Sequence, residues 1–280
     1  MTRRELLLAT LAAAPAGARK SPLKIGVTDW NLKLTGKLEA VSTARRLGFD
    51  GVQVSLGRKP AGNKLPLDDP ETIASYVAAA KKEDIPLDGT CLDILHVNYL
   101  KNDKLGQKWV ADSIPITKKL DSKVILLPFF GKGALTNHRE MDYVGDVLKE
   151  IAPEAEKAAV ILGLEDTISA EDNVRIMERA RSKAVLVYYD VGNSTEAGFD
   201  PAKEIRWLGK KRICQFHFKD NPHYLGEGNI NFARILHAIA DTGYQGFANL
   251  ETDSPSRNVD ADMKRNLTFM REIIQQNPRP

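Results

Sequence analysis

The chain has 280 residues, and its 40 lysines and arginines against 37 aspartates and glutamates give a net charge of +3. This near-balance argues against a nucleic-acid-binding protein that works through a broad basic face. The content of 42% hydrophobic and 28% charged residues is typical of a globular domain. No run of about 18 apolar residues is present, which argues against a membrane-spanning helix.

The first 18 residues have the pattern of an export signal. Arg3 and Arg4 precede a short apolar run, and two A-x-A patterns follow it, as in secretory signal peptides. The adjacent arginines are typical of the twin-arginine route. We therefore expect 1–18 to be an export signal and 19–280 to be an exported or periplasmic domain without a stable membrane anchor. Without a genuine signal, the same domain would be cytoplasmic.

From residue 23 onward, eight short apolar runs alternate with segments of helical periodicity. The runs predict strands over 23–27, 51–56, 85–94, 123–130, 160–165, 184–190, 213–219 and 246–251. The segments predict helices over 38–47, 71–82, 142–158, 172–181 and 232–241. Nearly continuous apolar strands are typical of a parallel sheet that is covered on its outer face. Eight strand–helix repeats favour a single (β/α)8 TIM barrel of class α/β over an open doubly wound sheet. The sequence also lacks the GxGxxG motif that is typical of a dinucleotide-binding open sheet.

Four residues that can bind a metal stand at the ends of the last four predicted strands. They are Glu165, Asp190, His217 and Glu251. Their spacing approximates the roughly 30 residues of one strand–helix repeat, so we expect them at one level around an arc of the barrel mouth. Three crowded carboxylates would repel one another unless a cation lies between them. This oxygen-rich set with one imidazole suits Mn²⁺ best, with Mg²⁺, Co²⁺ or Zn²⁺ as alternatives. A hydrogen-bond network or a set of helix N-caps would explain the same residues without a metal.

This part of the chain resembles the xylose-isomerase-like TIM-barrel superfamily, especially its sugar (phosphate) isomerases and epimerases. The residues that carry the resemblance are the four named above, the H-x-K-D sequence at His217, the segment 225–232, which is similar to a G-x-G-x-I-x-F signature, and the turn at 243–246. The resemblance is strong over 160–252 and diffuse over 23–159. It implies one divalent metal ion held by Glu165, Asp190, His217 and Glu251, with Glu165 and Glu251 as the acid–base pair.

The chain also departs from its ketose 3-epimerase relatives at two positions. Those enzymes commonly carry a histidine where this chain has Asn193 and an arginine where it has His223, whereas Glu171 matches their second glutamate. Epimerisation of a free ketose is therefore in question. The related apurinic endonucleases hold three zinc ions with many histidines. This chain has only 5 histidines in all, which argues against a nuclease with three zinc ions.

The expected reaction is proton transfer at a carbon beside a carbonyl group through a metal-stabilised enediolate. One glutamate would remove the proton and the other would return it, either on the opposite face, giving epimerisation, or at the neighbouring carbon, giving isomerisation. The sequence does not tell which glutamate removes it. A metal-dependent lyase or dehydratase of a polyol ketone and a non-catalytic sugar-binding barrel are the alternatives.

Six further residues are candidates for substrate contacts. They are Trp30, His96, Glu171, Lys219, His223 and Glu227. Lys219 follows His217 by two residues and so faces the mouth as well, where it would contact either substrate oxygens or a neighbouring carboxylate. The acidic Glu227 disfavours phosphate, so we expect a small unphosphorylated sugar, polyol or keto-acid. The same family often forms dimers or tetramers, so a homo-oligomer is consistent with the sequence, which predicts no nucleic-acid partner.

Overall fold

The computed structural model describes residues 23–276 and forms a closed barrel of eight parallel strands. Each strand pairs with the next in chain order, and the first pairs with the last. The strands are β1 (Lys24–Thr28), β2 (Gly51–Ser55), β3 (Leu87–Cys91), β4 (Val124–Pro128), β5 (Ile161–Glu165), β6 (Val185–Asp190), β7 (Ile213–Phe218) and β8 (Phe247–Leu250). The prediction of a single (β/α)8 barrel is confirmed, and every predicted strand is present.

Helices cover the outside of this barrel. They are α1 (Glu39–Leu47), α2 (Pro70–Glu83), α3 (Lys104–Lys119), α4 (His138–Ala158), α5 (Ala170–Ala180), α6 (Val191–Glu196), α7 (Pro201–Leu208), α8 (Phe232–Thr242) and α9 (Val259–Gln276). The five predicted helices are all among them, whereas α3, α6, α7 and α9 were not predicted. The apolar pattern of α3 is interrupted by Pro115, and α6 and α7 have only 6 and 8 residues.

The interior of the barrel holds a layer of polar side chains instead of an entirely apolar core. Gln53, Asp88, Gln215 and Asn249 are buried there and bonded to one another or to the Tyr188 hydroxyl. Such large side chains fit because the adjacent strand positions are small. A Cβ atom on Gly26, for example, would overlap the side-chain oxygens of Asn249 and Asp88.

All eight strands run in the same direction, so their carboxyl ends surround one mouth. Loops and the helix N-termini that follow each strand line this mouth, where β5–β8 deliver the polar residues described below. No helix between residues 23 and 276 is long and apolar enough to cross a bilayer. The predicted export signal, 1–18, lies outside the described residues.

Candidate metal centre

Four side chains from consecutive strands converge at the mouth of the barrel. Glu165 is the last residue of β5, Asp190 is the last residue of β6, His217 lies near the end of β7, and Glu251 follows β8. Strand register places Asp190 beside His217, since the two residues pair in the sheet. One ligand atom from each residue lies within 4.8 Å of the others. Glu165, Asp190 and His217 are no more than 5% exposed. We call these four residues the metal cluster.

The imidazole of His217 stands at the middle of the metal cluster. Its Nδ1 lies 2.7 Å from Glu165 Oε1, 3.6 Å from Glu251 Oε2 and 3.8 Å from Asp190 Oδ2. Lys219 approaches from the side, with its Nζ 2.7 Å from Glu251 Oε2 and 2.9 Å from Asp190 Oδ2. Three carboxylates therefore share two basic side chains.

Burial and mutual charge shift the ionisation of these groups in opposite directions. Burial raises the pKa of Glu165 to about 7, against the attraction of His217. Burial also raises the pKa of Asp190, against Lys219. Burial would raise the pKa of Glu251 too, but His217 and Lys219 outweigh it and hold that pKa at about 2. For His217 and Lys219, burial acts to lower the pKa, and the neighbouring carboxylates reverse this and raise both values.

The metal cluster fits a divalent cation in both chemistry and size. Three carboxylates and one imidazole nitrogen form an oxygen-rich donor set of the kind that Mn²⁺, Mg²⁺ and Zn²⁺ accept. Metal–ligand distances of about 2.0–2.6 Å place ligands on opposite sides of one ion about 4–5 Å apart. The separation of up to 4.8 Å between the ligand atoms is of that size. A single ion would also offset the repulsion among carboxylates that are crowded and buried.

Two of the predicted substrate-contact residues besides Lys219 lie at the mouth and are half-buried. Trp30 follows β1, and its Nε1 donates a hydrogen bond of 3.0 Å to Glu251 Oε1, while its ring meets His217 edge-on at 5.9 Å. His96 ends a 3₁₀ turn after β3 and stacks on Phe130 at 6.2 Å. Burial lowers the pKa of His96. Trp30 thus touches the metal cluster directly, whereas His96 stands on a neighbouring part of the rim.

The other three predicted substrate-contact residues are exposed, and none forms a hydrogen bond or ion pair with the metal cluster. Glu171 lies in the first turn of α5, on the outside of the mouth. His223 lies in the loop between β7 and α8. Glu227, in the same loop, is paired with Arg265 of α9. Position in the sequence alone does not indicate which way a loop side chain turns.

Sequence reasoning missed two buried polar residues on the first two strands, and one of them, Gln53, contacts the metal cluster. Asp29, at the end of β1, accepts hydrogen bonds from the backbone N–H groups of Gly36 and Ser55, and burial raises its pKa to about 7. Gln53, in the middle of β2, bonds to His217. A polar residue within or just after an apolar strand was the signal that found the metal cluster, and the same signal was present at both of these positions.

Comparison with known proteins identifies a family and a sequence relative of the chain. A family model described as the xylose isomerase-like TIM barrel matches residues 41–273. An uncharacterized protein of Methanocaldococcus jannaschii is 29% identical over 167 residues, and the match covers 53% of this chain and 57% of that protein. The matched stretch therefore spans little more than half of the curated relative.

Several solved structures share the barrel over most of its length. An L-ribulose 3-epimerase has a TM-score of 0.75 and 17% identity, with 91% of this chain and 95% of that one covered. A D-psicose 3-epimerase studied with D-fructose has a TM-score of 0.76 and 16% identity over 90% and 99% of the two chains. The IOLI protein with a bound zinc atom has a TM-score of 0.71 and 14% identity over 91% and 99%. At these identities the likenesses establish a common fold.

Proposed function

Because the chain belongs to the xylose isomerase-like TIM barrel family, we propose that it is a divalent-metal-dependent isomerase or epimerase of a sugar or a sugar-like hydroxy-carbonyl compound. The observation that carries this proposal is the convergence of Glu165, Asp190, His217 and Glu251 within 4.8 Å. Two relatives of the same fold described as sugar epimerases support the substrate class. The relative with a bound zinc atom supports a metal in this fold.

The metal cluster would hold the ion with three carboxylates and the Nδ1 atom of His217. A divalent cation bound there supplies Lewis acidity, which stabilises negative charge on substrate oxygens when a neighbouring C–H proton is removed. We propose Mn²⁺ as the native ion because oxygen donors predominate in the set. The negative charge of the three carboxylates disfavours a phosphate group beside the metal cluster, so we propose an unphosphorylated substrate.

Glu165 and Glu251 are proposed as the two proton-transfer groups. They lie at the two ends of the arc, on β5 and after β8, and so approach a bound substrate from different sides. Lys219 and Trp30 both donate hydrogen bonds to Glu251, which keeps it ionised and able to accept a proton. Glu165, at the other end of the arc, is the second carboxylate in reach of the same substrate carbon and is proposed to return the proton. Return from the opposite side would give epimerisation.

The remaining half-buried groups at the mouth are proposed to position the substrate. The half-buried ring of Trp30 lies beside the metal cluster, where a sugar can stack on it. Lys219, held between Asp190 and Glu251, is placed to donate to a substrate oxygen. His96 adds a hydrogen-bonding imidazole on the neighbouring part of the rim. Glu171, His223 and Glu227 remain predictions that only a larger substrate would reach.

Solvent deuterium exchange tests the proposed reaction. The Mn²⁺-loaded protein is incubated in D₂O with a panel of ketoses, aldoses and polyol ketones, and the products are analysed by mass spectrometry and NMR. The proposal predicts that deuterium enters the carbon skeleton without loss of water. A product lighter by one water would instead identify a dehydratase, and binding without any exchange would identify a non-catalytic barrel.

A pair of aspartate variants ties this activity to the metal cluster. Asp190→Asn keeps a side-chain oxygen for the N–H of Asn193 but removes the charge, so metal content and exchange activity should be lost together. Asp166→Asn is the matched control, because Asp166 is a half-buried aspartate just after the neighbouring strand β5 that bonds to Asn173 and lies outside the metal cluster. An Asp190→Asn protein that is active without metal would contradict the ligand assignment.

The role of Glu251 is tested by Glu251→Gln. The amide retains an oxygen for the ion but cannot accept a proton, so turnover should fall by about 100-fold or more while Mn²⁺ affinity falls much less. Steady-state kinetics and titration calorimetry measure the two quantities. Equal losses in turnover and affinity would show that Glu251 acts as a ligand only.

A further inference from the structure

Gln53 is a buried amide in the middle of β2 that touches the metal cluster from within the barrel. Its flanking residues, Val52 and Val54, are apolar, and its own side chain is 0% exposed. Its Oε1 lies 2.9 Å from His217 Nε2. An amide oxygen can only accept a hydrogen bond. The Nε2 atom of His217 therefore carries a proton and donates a hydrogen bond to Gln53.

Neighbouring donors determine which end of the Gln53 amide faces His217. The Nδ2 atom of Asn249 donates to Asp88 Oδ1 at 2.9 Å, which holds that nitrogen toward the interior, and it lies 3.4 Å from Gln53 Oε1. The hydroxyl of Tyr188 donates to the same Oε1 at 3.2 Å. The Nε2 atom of Gln53 in turn lies 3.5 Å from the carbonyl oxygen of Thr90, which can only accept, so turning the amide would oppose two oxygens there and two NH₂ groups at Asn249.

The hydrogen bond to Gln53 also determines where the other ring nitrogen of His217, Nδ1, points. With Nε2 held as a donor, Nδ1 points among the carboxylates, 2.7 Å from Glu165 Oε1 and 3.6 Å from Glu251 Oε2. We propose that Gln53 is a positioning residue for His217: it holds the imidazole with Nε2 protonated and Nδ1 facing the metal cluster, and thereby raises the affinity of the centre for a divalent cation. The effect on affinity rests on the proposed function.

The chain provides a matched control for this role. Gln215, in β7, belongs to the same interior layer, is 2% exposed and donates to Asp88 Oδ1 at 3.3 Å. It forms no hydrogen bond with His217. Gln53→Leu and Gln215→Leu therefore each remove one buried amide from the barrel interior, but only the first removes the partner of the imidazole. Gln53→Glu retains an acceptor oxygen and serves as the conservative variant.

Calorimetric titration of the metal-stripped proteins with Mn²⁺ measures the effect. Loss of a hydrogen-bond partner of a metal-binding histidine typically lowers metal affinity by about 10- to 100-fold, and we expect this loss in Gln53→Leu. Gln215→Leu should retain nearly the wild-type affinity, and Gln53→Glu should recover most of it. Equal weakening by the two leucine substitutions, or none by Gln53→Leu, would overturn the proposal.

A second measurement needs no metal. In protein labelled with ¹⁵N-histidine, the ring proton on Nε2 of His217 should exchange slowly in the wild type and in Gln215→Leu, and rapidly in Gln53→Leu. A His217 ring with a bare Nε2 atom would contradict the assignment. Failure of the wild type to bind Mn²⁺ would instead contradict the proposed function, and the NMR result would still decide whether Gln53 orients the imidazole.

Discussion

Asp88 is a buried carboxyl group in the barrel interior, near the amino-terminal end of β3. Its Oδ1 accepts hydrogen bonds from Asn249 and Gln215, whereas its Oδ2 is buried without a hydrogen-bond partner. Burial raises its pKa from the ordinary value of 3.8 to about 7, against the two amide donors. A carboxyl group in this position is therefore more stable when it carries a proton.

This shift makes the stability of the protein depend on pH. Below about pH 4 the carboxyl group is protonated in both the folded and the unfolded chain, and its contribution is fully present. As the pH rises toward 7 the unfolded chain has already released this proton while the folded barrel retains it, so stability is lost. Asp88→Asn removes this titration. Between pH 4 and pH 7, the free energy of unfolding of the variant should therefore fall less than that of the wild type, by as much as roughly 4 kcal/mol.

Urea unfolding at pH 5 and pH 8 in the presence of a chelator checks this prediction. The difference in unfolding free energy between Asp88→Asn and the wild type should increase at the higher pH. The exposed Asp253 provides the control, since Asp253→Asn should leave the pH dependence unchanged. Parallel pH profiles for Asp88→Asn and wild type would show that Asp88 does not titrate in this range.

At these individual positions the sequence is informative about strand ends and uninformative about side-chain direction. Glu165, Asp190, His217 and Glu251 could be predicted to converge because the repeat length places them at one level of the barrel. The direction of the Glu171 side chain could not be predicted in the same way, because it depends on how α5 begins. The bond from Gln53 to His217 joins residues 164 positions apart, and no local pattern specifies such a pair.

The loop between β7 and α8 is organised around one carboxylate. Asp220, which is 5% exposed, accepts hydrogen bonds from the backbone N–H groups of Gly226, Gly228, Asn229 and Ile230, at 3.1, 2.9, 3.1 and 3.4 Å. A charged acceptor strengthens each bond. Asp220 therefore fixes the loop that borders the mouth beside His217 and Lys219.

Removal of this acceptor should release the loop. Asp220→Ala leaves four N–H groups without their partner, and we expect a loss of about 3 kcal/mol in unfolding free energy. Hydrogen exchange measured by mass spectrometry should accelerate over 221–231 more than elsewhere in the barrel. Asp220→Asn, which keeps one acceptor oxygen, should show an intermediate effect, and unchanged exchange over the loop in Asp220→Ala would refute the role.

The elements themselves differ in how far the sequence predicts them. Strands are short, apolar and bounded by polar residues, so all eight are predicted within a few residues of their observed limits. Helix α4 is predicted because its apolar face repeats over 21 residues, although its first turn was missed. Helix α6 has no such repeat, and it begins because the Asp190 side chain accepts the N–H of Asn193.

The closed barrel connects the metal cluster to the stability of the whole protein. Its four residues come from β5, β6, β7 and the end of β8, so an ion shared among them would link half of the strands. Binding to the folded state alone stabilises by mass action, by about 2.7 kcal/mol at a free ion concentration 100 times the dissociation constant.

Thermal unfolding should therefore respond to the ion. For a domain of this size, we expect a saturating concentration of Mn²⁺ to raise the Tm of the wild type by about 5–10 °C, and a chelator to reverse the increase. Differential scanning calorimetry measures both. Asp190→Asn should show no such increase, and an equal shift in that variant would place the stabilising ion elsewhere.

The central claim is that these four side chains share one divalent ion. Anomalous diffraction from crystals grown with Mn²⁺ tests it most directly. We expect a single strong anomalous peak at the barrel mouth, at about 2.0–2.6 Å from side-chain atoms of Glu165, Asp190, His217 and Glu251. A structure with saturating Mn²⁺ and no peak among these residues, or with the peak bound elsewhere in the chain, would contradict it.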